Sequence, residues 1–448
     1  MVRLFEAIKV HLRTLARPLA ESLFALFIGL LVGAGLMLAF GYSPIDGYTS
    51  MLKGFGIFDR EGLLAVLAIF AIGLLFIVFI GACWAKIPQA LAWLRRKKIS
   101  GRSIISVIVV VFIFAFILYF IKYLAIEFLD KVEILEMLAY SVPLMLTAIT
   151  FAVGMRAGLF NIGAEGQVYM GAVAAAWIGG HLVLPAGLHL FAATAFAMLI
   201  GAAWALLPAI LKIEAGVHEV ISTIMLNWVA FFHVPYLIIN RFAGVYAERT
   251  AAILPSARYN ILELEGATAS LTAVIFVALA ACVVVYILLW RTRAGYELRL
   301  VGDNPDAARY AGINIRRVML YSFIIGGMAA GLAGASQVIG RPLLGWTLPA
   351  TLGTVFGLGF WGIGIAVVGR NHPIGGIFAA LLFAGMLNGA KFMEYDVGIS
   401  SELVIAIQGV IIVALAVPAL LAMSGRGVRR LTAGLPFWIR KKIRRRPR

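Results

Sequence analysis

Charge is scarce in this sequence. Only 13% of its 448 residues are charged and 62% are hydrophobic, whereas soluble domains run near 25% charged and about half apolar. That balance excludes a soluble multi-domain enzyme, which length alone would allow, and also a disordered or coiled-coil chain. Cysteine is nearly missing. Cys83 and Cys282 lie in apolar runs, so neither a disulfide scaffold nor a thiolate metal site is implied. The phosphate loop G-x-x-x-x-G-K-[ST] is absent, as are H-E-x-x-H and G-x-S-x-G. The six histidines (11, 181, 189, 218, 233 and 372) form no H-x-x-x-H pair. No intramembrane Asp/His relay of the kind proton-coupled carriers use is visible. The chain is therefore expected to catalyse nothing and to bind no metal or cofactor itself.

Long apolar runs fill the space that charge leaves. About 20 apolar residues cross a bilayer, and twelve runs of about that scale fall at 19–40, 63–85, 103–124, 136–154, 167–184, 188–211, 219–239, 268–290, 319–339, 350–369, 373–391 and 402–423. The fold class read from them is all-α, a polytopic integral membrane helix bundle of about twelve spans. The first run follows Arg13 and Arg17 but is too long for a signal peptide, so it is read as a span. Placing the N-terminus in the cytoplasm puts 26 of the 38 Lys and Arg residues in the inner segments 1–18, 86–102, 291–318 and 425–448. This asymmetry predicts N-in and C-in. The net charge of +17 would suggest nucleic acid in a soluble domain, but ten basic residues and no acidic ones sit in 425–448 beside the last run. Orientation and contact with anionic membrane lipid explain that tail, and no nucleic acid is expected. Glycines at spacing four (Gly29 and Gly33, Gly327 and Gly331, Gly353 and Gly357) read as faces where helix backbones approach closely.

Three stretches carry polarity. The first, 156–167, sets Asn161, Glu165 and Gln167 among Gly158, Gly163 and Gly166. Irregular backbone at membrane depth is tolerated only against protein or water, so this stretch either lines a pathway or is a turn anchored by Arg156. In the second, Glu219, Ser222, Thr223 and Asn227 share one helix face, as a conduit or as interhelical hydrogen bonds. The third, 291–318, contains a short helix from Pro305, capped by Asp303 or Asn304 and stopped at Gly312. Such a helix outside the bilayer suits docking of a soluble partner.

With these stretches in hand, the sequence resembles the permease subunits of nucleoside-type ABC importers, in the superfamily of ribose and branched-chain amino acid permeases. The resemblance rests on GLFNIGAEGQ (158–167), EVISTIMLN (219–227), RTRAGYELRLVGDNPDAARYAGI (291–313), GGMAAGLAGA (326–335) and the block from GFWGIGIAVVGRNHPIGG (359–376) to FAALLFAGMLNGAKFM (378–393). It implies a membrane permease without its own ATPase site. Its partners would be a cytoplasmic ABC ATPase that hydrolyses ATP, a second permease subunit and an extracytoplasmic lipid-anchored solute-binding protein. It would reside in the plasma membrane of a bacterium or archaeon. Gly302, Asp303, Asn304, Ala307, Ala308 and Gly312 match the segment that couples to the ATPase. Pathway polarity is assigned to Asn161, Glu165, Gln167, Asn227 and Asn388, with Trp228 as a stacking surface for a base. The expected organisation is a basic N-terminus (1–18), a first span and outer loop (19–62), a two-span insertion foreign to the family (63–124), a permease core of about ten spans with the first (134–423), and a basic tail (424–448). Alternatives are a permease for ribose or another small polar solute, an ion-coupled secondary carrier, and a scaffold without transport.

Overall fold

The computed structural model describes residues 25–57, 130–245, 248–264, 267–342 and 345–414. The proposed insertion runs 63–85 and 103–124, with both basic termini, lie outside the described residues. The other runs each meet a helix. In chain order these are α1 (Ala25–Ala39), α2 (Pro44–Lys53), α3 (Lys131–Arg156), α4 (Ala164–His181), α5 (Leu188–Ala215), α6 (Glu219–Arg241), α7 (Val274–Arg291), α8 (Arg293–Asp303), α9 (Pro305–Tyr310), α10 (Ile315–Val338), α11 (Leu358–Val368), α12 (Pro373–Val397) and α13 (Ser401–Ala414). Among the described residues six of them (α3, α5, α6, α7, α10 and α12) are long and apolar enough to cross a membrane. The protein is a mainly helical integral membrane protein.

Two runs are only partly helical. The run 268–290 begins as strand β2 (Ala267–Thr272), which pairs antiparallel with β1 (Ile261–Leu264), Ile261 facing Thr272. The run 350–369 becomes helical only at Leu358, because Leu352 (φ +57°) and Gly357 (φ +81°) hold left-handed backbone that a helix cannot continue. Gly353 and Gly357 therefore do not form the helix-packing face their spacing suggests.

The centre of the bundle is α3, begun by the Asp130 side chain accepting from Glu133 N–H (3.1 Å) and buried continuously over 141–154. Around it pack α10, α11 and α12, with α4 and α5 on the far side of α10. The α4–α5–α10 crossing depends on missing side chains. A Cβ on Gly171 would lie 2.4 Å from Gly331 Cα, and one on Gly331 would lie 2.3 Å from Ala197 O. On one edge α1 and α13 meet, Gly29 against Ile411 and Gly33 against Ile407, forming a smaller core with Met37, Met51 and Met386.

The end of α3 at Arg156 lies beside α8, and the opposite end of the bundle is closed by loops. There Ile253 N–H donates to Trp346 O (2.9 Å), Ala350 N–H to Glu248 O (2.8 Å) and Thr272 Oγ1 to Gly340 O (2.6 Å). A buried Arg341 binds Ser270 Oγ (2.7 Å) and Glu136 (3.3 Å) and stacks on Tyr140. Because a side chain at the glycine crossing would meet backbone, which cannot swing aside, Gly331→Val should lower stability by about 3 kcal/mol, the upper range for overpacking. Thermal unfolding in detergent checks this, and Gly35→Ala, which points into open space, should cause no loss.

Candidate functional site

Two helices begin inside the bundle and meet at one carboxylate. After α3 ends at Arg156, residues 157–163 turn back along it, with Leu159 N–H bonding Gly154 O (2.9 Å), and α4 starts at Ala164. Glu165, in the first turn of α4, is 1% exposed. Its Oε1 accepts from Gly357 N–H (2.5 Å) and Tyr169 Oη–H (2.5 Å), and its Oε2 from Gly359 N–H (2.6 Å) and Phe360 N–H (3.3 Å). These backbone donors are the otherwise unpaired first amides of α11, where the helix dipole is positive. A helix rises about 1.5 Å per residue, so Gly359 lies about 15 Å from Gly369 at the Arg156 end. Along α4, Glu165 lies about 21 Å from Gly179, whose carbonyl accepts from Leu254 in the closing loops (2.8 Å). The junction is thus near mid-depth.

A polar cluster fixes the turn that leads into it. Asn227 of α6 donates from Nδ2 to Ile162 O (2.9 Å) and accepts Gly166 N–H at Oδ1 (2.9 Å). Asn161 Oδ1 accepts from Gly163 N–H (2.9 Å) and Gln167 Nε2 (3.5 Å). Gln167 Oε1 is buried without a partner. Glu219, Ser222, Thr223 and Asn227 all fall on the buried face of α6. Of these, Glu219 pairs with Lys212 (2.8 Å), while Ser222 and Thr223 bond back to Glu219 O (3.1 and 2.7 Å).

Trp228 and Asn388 take no part in these hydrogen bonds. Trp228 is 56% exposed on the outer face of α6, stacked near Phe232. Asn388, on α12, joins the opposite end of α3, donating to Glu133 Oε2 (2.8 Å) and Gly54 O (3.2 Å). Sequence reading missed Tyr169, Gly357 and Gly359. Tyr169 could have been found four residues after Glu165 on one helix face, but the α11 amides carry no side-chain signal.

The family model described as "Branched-chain amino acid transport system / permease component" matches residues 133–416. The chain belongs to this family. It is 38% identical over 272 residues to the guanosine ABC transporter permease protein of Bacillus subtilis, covering 60% of this chain and 77% of that one. A nucleoside ABC transporter permease protein of Lactococcus lactis is 35% identical over 283 residues (61% and 76% covered). A glucose ABC transporter permease protein of Haloferax volcanii is 34% identical over 292 residues (62% and 74%). No solved structure matches the chain.

In this permease the Arg156 end carries the short helices. Asn304 is the N-cap of α9, its Oδ1 accepting Asp306 and Ala307 N–H (3.1 and 3.0 Å), and Gly312 follows the helix at φ +77°. Asp303, Asn304 and Ala307 are exposed, whereas Ala308 is buried. Gly302 abuts the start of the turn so closely that a Cβ there would lie 2.2 Å from Arg156 O and 2.8 Å from Gly158 N. Arg156 also donates to Asn371 O (3.0 Å) and Arg370 O (3.1 Å), clamping the left-handed turn after α11. Beside it His372 packs against Trp290. Burial, and then the Arg156 cation, hold its imidazole below the ordinary value.

Removing the carboxylate leaves buried amides unpaired, at about 1–3 kcal/mol each. Glu165→Ala should therefore lower the thermal midpoint and reduce uptake together. Glu165→Gln keeps one acceptor oxygen and should fall between Ala and the parent, as measured by unfolding in detergent and uptake in vesicles.

Proposed function

We propose that this permease is the membrane subunit of an ABC importer for nucleosides, and that the solute crosses beside the Glu165 junction. The observation that carries the route is the meeting of two helix starts at mid-depth. Interrupted helices at the midplane are where transporters place their solutes, since irregular backbone needs protein or water around it. The guanosine and nucleoside permeases among the relatives support the solute class. A sugar is the second reading, favoured by the Haloferax volcanii relative.

In this reading the protein lies in the plasma membrane with about twelve spans, N-in and C-in, so that the Arg156 end faces the cytoplasm. Asn161, Glu165, Gln167 and Asn227 set the shape and polarity of the pathway wall, Trp228 stacks on the base, and Asn388 holds the outer end of α3. A separate cytoplasmic ATPase docks on α8–α9 through Gly302, Asp303, Asn304, Ala307, Ala308 and Gly312. Its stroke passes through the Gly302 contact into residues 157–163, then through Glu165 to α11. A solute-binding protein delivers the nucleoside from outside, and a second permease subunit completes the pore. The 63–124 segment adds two spans, which preserves the orientation of the core.

Pull-down of the chain from its native membranes in mild detergent tests the class. Co-recovery of a phosphate-loop ATPase, a lipoprotein and a permease is expected, and the peptide masses decide whether that permease is a second copy. Recovery of the chain alone, in a detergent that preserves such complexes, would return the secondary carrier. The coupling assignment has its own test. Asn304→Asp keeps the cap acceptor and should keep ATP-driven uptake. Asn304→Arg removes the cap, puts a cation on the docking face, and should abolish uptake without loss of the chain from the membrane.

A further inference from the structure

The surface beside the Glu165 junction is unlike the other apolar surfaces of the bundle. On α5 and α7 the exposed side chains, such as Leu199 and Val284, project from unbroken helices, whose backbone groups pair internally and tolerate lipid. Residues 351–357 are different. They descend to the junction as turns with no helix, Leu352 and Gly357 being left-handed. Thr351, Gly353 and Phe356 are exposed, and a Cβ on Gly353 would meet only Thr351 Oγ1, at 3.8 Å. Gly357 N–H reaches Glu165, so this exposed irregular backbone ends near mid-depth. Val355 and Phe356 N–H both bond to Leu352 O within the turns (2.9 Å each), a partial ladder in place of a helix, and hydrocarbon offers no partners to the backbone groups left over.

We infer that the face carrying Phe356, Phe360, Trp228 and Phe232 lines a water-filled solute route and is not turned to lipid. The inference rests on the permease reading above and adds the residues that meet the solute. Phe356 and Phe360 are 60% and 48% exposed, and Trp228 and Phe232 56% and 68%. Phe231 joins the two groups, its ring 6.0 Å from Phe356 and 5.7 Å from Trp228. It also touches Tyr169 (6.2 Å), which holds Glu165. Ring faces of this kind take a planar heteroaromatic base through stacking, and these four side chains themselves carry no charge.

Cysteine accessibility tests this in vesicles from cells that carry the working transporter. Phe356→Cys, Phe360→Cys and Trp228→Cys are compared with Leu199→Cys and Val284→Cys, in a chain with Cys83→Ser and Cys282→Ala. Thermal unfolding of each purified variant in detergent, matched to the parent, reports that it is folded, whatever its uptake. A charged, water-soluble methanethiosulfonate should modify the first three positions at least about tenfold faster than the other two, because the reactive thiolate forms only where water reaches it. Excess guanosine should slow the reaction. Equal rates at all five positions, or reaction only with a lipid-soluble maleimide, would overturn the inference. Fast modification that guanosine does not slow would support the route and count against the nucleoside alone.

Discussion

The arrangement turns on a carboxylate that holds a helix start inside a membrane protein. Glu165 takes three backbone amides of α11 and the hydroxyl of Tyr169. Each side needs the other. A buried ionisable group without donors is expensive, and the first amides of a helix have no partners of their own. Because α4 and α11 both begin at this point, the bond also joins two segments almost two hundred residues apart in sequence.

From that junction the contacts form a closed circuit. Glu165 holds the N-terminal end of α11, and Arg156 holds the turn beyond its C-terminal end through Arg370 and Asn371. Arg156 and Gly158 in turn bear on Gly302 at the end of α8. Backbone meets backbone there with no side chain between, so a shift of α8 has little slack to absorb it. In the coupling proposed above, this contact is the route by which a displacement of the short helices would reach the Glu165 junction. Asn227 keeps the connection on one path by binding both Ile162 and Gly166.

One exposed stretch of the permease differs from the rest in its backbone. Regular helices α5 and α7 expose apolar side chains, aliphatic and aromatic alike, while the irregular 351–357 segment lies next to the junction, joined through Phe231 to the aromatic edge of α6. The same physical rule, that backbone polar groups need partners, accounts for both. It also explains why the loops at the end opposite Arg156 are tied to one another by backbone hydrogen bonds and by the Arg341–Glu136–Ser270 cluster.

Composition and apolar run length determined the class, because a bilayer admits only segments whose backbone pairs within itself. Local rules were equally legible. Asn304 caps a helix at Pro305 and Gly312 follows it, since capping depends on neighbouring residues alone. The common face of Glu219, Ser222, Thr223 and Asn227 followed from helical period. Tertiary structure decided what the polar groups with distant partners bind. Glu165 was visible as an unusual carboxylate, yet its partners are amides of residues 357–360, and a backbone N–H leaves no mark in a sequence. Asn388 and Asn161 looked alike in the chain, but long-range packing sends Asn388 to Glu133, whereas Asn161 closes a local turn onto Gly163. Helical period also set Trp228 about 100° from Asn227, but whether that outer face meets lipid or water depends on the irregular backbone folded against it.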